Sequence, residues 1–125
     1  MTQLFASCLA RLRVLVVEDE FLIAMTIEQC LQAEGCVVVG PAPSVATALD
    51  LIDREPPQAA LLDVNLDGEL STPIAERLRA MGIPYLLVTG YADLAQADPV
   101  LRHAERMGKP FMPAQLIRRM EQLFC

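Results

Sequence analysis

With 125 residues, 54% of them apolar, the chain has room for one domain and enough apolar material to fill one core, which excludes a disordered polypeptide. Sixteen Asp and Glu against ten Lys and Arg give a net charge of −6, and only 5% of residues are aromatic; phosphate-backbone attraction and base stacking are both lacking, so no direct nucleic-acid binding is expected. No apolar run approaches the roughly 20 residues of a membrane helix, and residues 1–12 lack the charged start and cleavage pattern of a signal peptide, so a soluble cytoplasmic protein without membrane insertion is expected.

Residues 1–12 read as an N-terminal extension and 13–125 as the folded domain. Arg13-Val-Leu-Val-Val17 is a short β-branched run that ends abruptly in Glu18-Asp19-Glu20, the pattern of a buried strand with acids at its carboxyl end. Helical spacing of Leu22, Ile23, Ile27, Cys30 and Leu31 predicts a helix over 21–34, with Gly35 as its C-cap. The alternation continues with a strand at 36–39, a Ser44-capped helix to 55, and a strand at 59–63. A helix at 72–81, the run Tyr85-Leu-Leu-Val88, a short helical stretch near 94–102 and a final helix over 113–124 follow. A fifth strand is needed just before Lys109, where Ala104-Glu-Arg-Met-Gly108 is a weak strand sequence. Such alternation implies parallel βαβ units and an α/β, doubly wound sheet covered on both faces.

The cysteines, Cys8, Cys30, Cys36 and Cys125, contain no C-x-x-C pair and have one histidine, His103, to join them, so no zinc site is expected and all four read as free thiols. His103 lies in a charged stretch and reads as a surface residue. Met81, Met107, Met112 and Met120 read as packing residues.

In an open α/β sheet, ligands bind beyond the carboxyl ends of the strands. Here those ends carry Glu18-Asp19, Asp63, Thr89 and Lys109. Carboxylates gathered there repel one another unless a divalent cation sits among them, and Mg²⁺ suits hard oxygen donors. A carboxylate beside such a cation, a hydroxyl and an ammonium has the parts of a phosphoryl acceptor, and Asp63, at the end of the apolar run Ala59-Ala-Leu-Leu, is the best nucleophile.

From about Arg13 to the C-terminus this order of residues resembles the receiver domain of two-component response regulators. The resemblance implies a flavodoxin-like (βα)₅ fold with strand order 2-1-3-4-5. It further implies that Glu18, Asp19, Asp63 and the carbonyl of Asn65 hold Mg²⁺, that Asp63 is the phospho-acceptor, and that Thr89 and Lys109 contact the phosphoryl group. Lys109-Pro110-Phe111 matches closely, and in that family the Lys-Pro bond is typically cis. Pro84-Tyr-Leu-Leu-Val-Thr-Gly-Tyr91 looks like the P-F-x-F-A-T-G-Y motif of a single-domain subclass, departing from it at Tyr85, Leu87 and Val88. That subclass is associated with histidine kinases of HWE and related types, which are the implied partners. The implied function is that of a stand-alone phospho-acceptor, not a turnover enzyme, acting through a downstream protein or phosphotransfer partner. Arg106 stands where receivers usually carry an aromatic switch residue, and the loop after Thr89 is an alternative switch element.

Rival readings exist. Asp63-Val-Asn-Leu-Asp-Gly68 matches the first half of an EF-hand loop, but the twelfth position is Ile74 and an apolar strand precedes it. A phosphatase of the haloacid dehalogenase kind requires an acid where Asn65 stands. A receiver-like interaction module that is never phosphorylated is the third alternative.

Overall fold

The computed structural model describes residues 8–90 and 99–125. In chain order its elements are β1 (Arg13–Val17), α1 (Phe21–Ala33), β2 (Val37–Ala42), α2 (Val45–Arg54), β3 (Ala59–Leu62), β4 (Asn65–Leu66), β5 (Glu69–Leu70), α3 (Thr72–Ala80), β6 (Tyr85–Thr89), α4 (Pro99–Arg102), β7 (Arg106–Gly108) and α5 (Pro113–Phe124). Five strands pair in parallel in the order β2-β1-β3-β6-β7, which is the expected 2-1-3-4-5 once the small β4–β5 hairpin is set aside. The helical stretch expected at 94–102 is present as Pro99–Arg102; its first part, like Tyr91, lies outside the described residues.

Period-two alternation along the strands divides the interior between the two faces of the sheet. Val14 and Val16 of β1, Leu61 of β3, and Leu86 and Val88 of β6 join Ile27 and Leu31 of α1 and Leu116 and Met120 of α5 in one apolar cluster. The intervening residues Leu15, Val17, Ala60, Leu62 and Leu87 pack with Val45, Ala48 and Ile52 of α2, Ile74, Ala75 and Leu78 of α3, and Leu101 of α4. Burial of both faces explains why β1, β3 and β6 are continuous apolar runs. Among the described residues no helix is long and apolar enough to cross a membrane.

Local signals set the helix ends. Ser44 caps α2 by accepting a hydrogen bond from the Thr47 N–H at 3.2 Å. At the end of α1 the Cys36 N–H donates to the Leu31 carbonyl and the Gly35 N–H to the Gln32 carbonyl, a Schellman closure with Gly35 at φ 82°. The weak fifth strand forms because buried β6 provides its partner: Leu87 N–H donates to Glu105 O and Lys109 N–H to Thr89 O, both at 2.9 Å.

Four sequence expectations need correction. First, the cysteines are not all free thiols: Cys8 and Cys125 form a disulfide, while Cys30 and Cys36 remain free. The cause is the path of the chain ends. Leu9, in the stretch read as an extension, is fully buried in the cluster of Leu31, Leu116 and Met120, and this brings Cys8 to the end of α5. Second, β2 continues past Val39 through Gly40 and Pro41 to Ala42, which an edge strand tolerates because its outer side needs no donor. Third, Asn65–Leu66 and Glu69–Leu70 form an unforeseen hairpin about Asp67 (φ 55°) and Gly68 (φ 93°). Asp-Gly is the favoured pair for such a two-residue turn. Fourth, Met120 packs in the core, but Met81 and Met112 are exposed because they stand at the boundaries of α3 and α5.

Candidate functional site

The parallel sheet delivers the ends of β1, β3 and β6 to one edge, and backbone hydrogen bonds fix the acids there. Glu18 N–H donates to Ala42 O at 2.9 Å, and Asp63 N–H to Val17 O at 3.0 Å. Both side chains are buried, each residue only 3% exposed. Asp19 is half-buried, and one carboxylate oxygen from each of Glu18, Asp19 and Asp63 lies within 4.8 Å of the other two.

Lys109, 91 residues from Glu18, enters from the end of β7, after which the Lys109–Pro110 bond is cis. Its Nζ lies 2.5 Å from Glu18 Oε1 and 2.8 Å from Asp63 Oδ2, so one ammonium bridges two buried acids. The second Glu18 oxygen accepts the Glu20 N–H at 3.3 Å. Burial pushes the Glu18 carboxyl up to about 7; Lys109 opposes the rise and Asp63 adds to it. Burial would lower the Lys109 ammonium, but Asp63 and Glu18 together outweigh it and leave its pKa raised.

Two buried oxygens at this edge, Asp63 Oδ1 and Thr89 Oγ1, have no hydrogen-bond partner among the described residues. Buried polar atoms are rarely left so, and these lie where strands three and four of the sheet end. Ser71 Oγ, at the start of α3, is a third such atom. Three carboxylates against one ammonium leave an excess negative charge, and every donor is a hard oxygen. This set fits Mg²⁺, to which Glu18, Asp19 and Asp63 can each turn a carboxylate oxygen.

A family model for the response regulator receiver domain matches residues 14–121. The chain belongs to the response regulator receiver family. Among solved structures, SdrG from Sphingomonas melonis Fr1 is 40% identical with a TM-score of 0.76, over 86% of this chain and 91% of that one. A second structure of SdrG, from Pseudomonas melonis Fr1, in a BeF3-activated conformation, is 38% identical with a TM-score of 0.73, over 89% and 94%. The response regulator PhyR from Brucella abortus is 30% identical with a TM-score of 0.81, over 98% of this chain and 51% of that one. The transcriptional regulatory protein PdtaR of Mycobacterium tuberculosis is 29% identical over 112 residues, 87% of this chain and 55% of PdtaR, so the receiver spans about half the length of this relative.

The receiver thus brings together Glu18, Asp19, Asp63 and Lys109, with Thr89 tied to Lys109 through its backbone carbonyl. Asn65 stands at the start of β4, and its Oδ1 accepts the Gly68 N–H at 2.7 Å. That hairpin, preceded by a strand, is not an EF-hand loop. Arg106 is exposed and donates to Arg102 O at 2.9 Å, closing the end of α4. His103 is exposed, as expected for a surface residue. The direct Glu18–Lys109 pair escaped sequence reasoning, since nothing local relates residues so far apart.

Proposed function

We propose that this receiver accepts a phosphoryl group on Asp63 from a phosphohistidine of a histidine kinase, in a Mg²⁺-dependent reaction in the cytoplasm. The observation that carries the reading is Asp63 itself: Oδ2 is held by Lys109, while Oδ1 is buried without a partner and free to attack. Glu18, Asp19, Asp63 and the Asn65 carbonyl would hold Mg²⁺, which neutralises charge on the transferring group.

Asp63 Oδ1 attacks phosphorus, the bond from phosphorus to the histidine nitrogen breaks, and that nitrogen leaves with the electron pair. Lys109 is already beside Asp63 and pairs with a phosphoryl oxygen as charge develops. Thr89 Oγ1, without another partner, donates to a second phosphoryl oxygen. The same groups assist hydrolysis of the acyl phosphate, so the domain promotes its own phosphorylation and dephosphorylation without being a turnover enzyme.

The BeF3-activated form of SdrG supports this reading, since the same kind of complex on Asp63 would occupy the phosphoryl position. The T-G-Y segment from Thr89 to Tyr91 supports a donor kinase of the HWE or a related type. The signal passes by protein–protein contact to a downstream or phosphotransfer partner. The test is intact mass under acid quench after incubation with acetyl phosphate and Mg²⁺. Wild type should gain one phosphoryl group, and neither Asp63→Asn nor a metal-free sample should. If wild type gains nothing from acetyl phosphate or from HWE-type kinases, the proposal fails and a non-phosphorylated interaction module takes its place.

A further inference from the structure

We propose that Cys8 and Cys125 form a reversible thiol–disulfide clasp that makes the stability of this domain responsive to the redox state around it. The two residues are 117 positions apart in sequence, yet their Cα atoms are 6.0 Å apart, within the range a disulfide spans. The approach is held by contacts other than the bond. Leu9 is fully buried, the Arg11 N–H donates to Gly35 O at 2.7 Å, and the Cys36 thiol donates to Leu9 O at 3.4 Å. At the other end, Leu123 and Phe124 pack against the same cluster that receives Leu9. Reduction therefore leaves both thiols near their bonded positions, and the bond can form again without refolding the chain.

Accessibility directs the chemistry to this pair. Cys8 and Cys125 are both exposed, whereas Cys36 is buried and Cys30 half-buried, and burial pushes both of those thiols up, away from the reactive thiolate. Oxidation uses a low-molecular-weight disulfide. One cysteine thiolate attacks a sulfur of that molecule, expels one of its thiolates and becomes a mixed disulfide. The second cysteine thiolate then attacks the protein sulfur, forms the Cys8–Cys125 bond and expels the other small thiolate. Two electrons leave the cysteines, and the two protons they lose go to the two released thiolates; reduction is the reverse.

The clasp sits at the amino edge of the sheet, since Leu12 and Cys36 lead into β1 and β2, while the acids stand at the carboxyl edge. It therefore acts on folding stability and leaves the phosphoryl-acceptor groups untouched. The full chain should be equilibrated in glutathione buffers running from all disulfide to all thiol, acid-quenched, alkylated and weighed, with a parallel thermal melt. The expected result is a monomer carrying one internal bond at the oxidised end and none at the reduced end. Its melting temperature should be roughly ten degrees higher when oxidised, because the bond closes a long loop in the unfolded chain. Cys8→Ser and Cys125→Ser should each melt like the reduced wild type in every buffer, and Cys30→Ser/Cys36→Ser should keep the full shift. A chain that becomes only glutathionylated or linked between copies overturns the proposal, as does a melt indifferent to oxidation. A bond that survives excess reduced glutathione in the folded protein shows a static staple and overturns reversibility.

Discussion

Replacing Glu18 by Gln should stabilise the metal-free receiver at neutral and alkaline pH. The Glu18 carboxyl titrates near 7 instead of 4.5, first because burial disfavours the anion and then because Asp63 stands beside it, with Lys109 offsetting only part of the rise. Between those two values the folded state binds more protons than the unfolded chain. Stability therefore falls as pH rises through that window, and the loss is complete above about pH 7. A displacement from 4.5 to about 7 corresponds to about 3 kcal/mol. Gln keeps the shape of the neutral acid and cannot ionise, and Lys109 retains its 2.8 Å contact with Asp63. The variant should thus melt roughly ten degrees above wild type at about pH 8 in EDTA, with the gap closing towards about pH 5. Urea unfolding across that pH series gives the free energies directly. Saturating Mg²⁺ should stabilise wild type more than the variant and narrow the gap. If Glu18→Gln is instead less stable than wild type at about pH 8 in EDTA, the ion pair with Lys109 outweighs the burial of the acid and the reasoning is wrong.

Thr89→Ala should cost less than about 1 kcal/mol, because Oγ1 has no hydrogen-bond partner to lose, yet slow phosphorylation by acetyl phosphate by roughly tenfold or more. Melts and acid-quench time courses separate the two effects, and a large fall in stability would make the hydroxyl structural. Leu9→Ala should destabilise by about 2–5 kcal/mol in urea, since the side chain is fully buried. A cost under about 0.5 kcal/mol would mean that the N-terminal segment contributes little to the core.

The sheet strands were legible because both faces are covered: Val14–Val17 of β1, all of β3 and Tyr85–Val88 of β6 are apolar without interruption, and each run is followed by a polar residue that the structure brings to one edge. Glu18, Asp19, Asp63 and Thr89 were therefore recognisable from the sequence as strand-end residues. The β4–β5 hairpin was missed because its strands have two residues each and carry no period; its one signal was Asp67-Gly68, which also begins an EF-hand pattern. The disulfide was missed because a pair separated by nearly the whole chain has no spacing to read, and it depends on Leu9 being drawn into the core. The bridging role of Lys109 depended likewise on the pairing of β6 with β7, which its weak strand sequence concealed.

The alternation that sorts side chains between the two apolar clusters also sets how far each strand end reaches. In β3, Leu61 feeds one cluster and Leu62 the other, and Asp63 is the next residue, hydrogen-bonded through its N–H to the end of β1. Inserting one residue between Ala59 and Leu61 would exchange the faces of those two leucines and push the acid outward by about 3.3 Å. Glu18 and Lys109 would then face a carboxylate one rung too far away. Packing and chemistry share a single count along this strand, so an insertion there is felt twice, whereas one in the turn of the neighbouring hairpin changes neither tally.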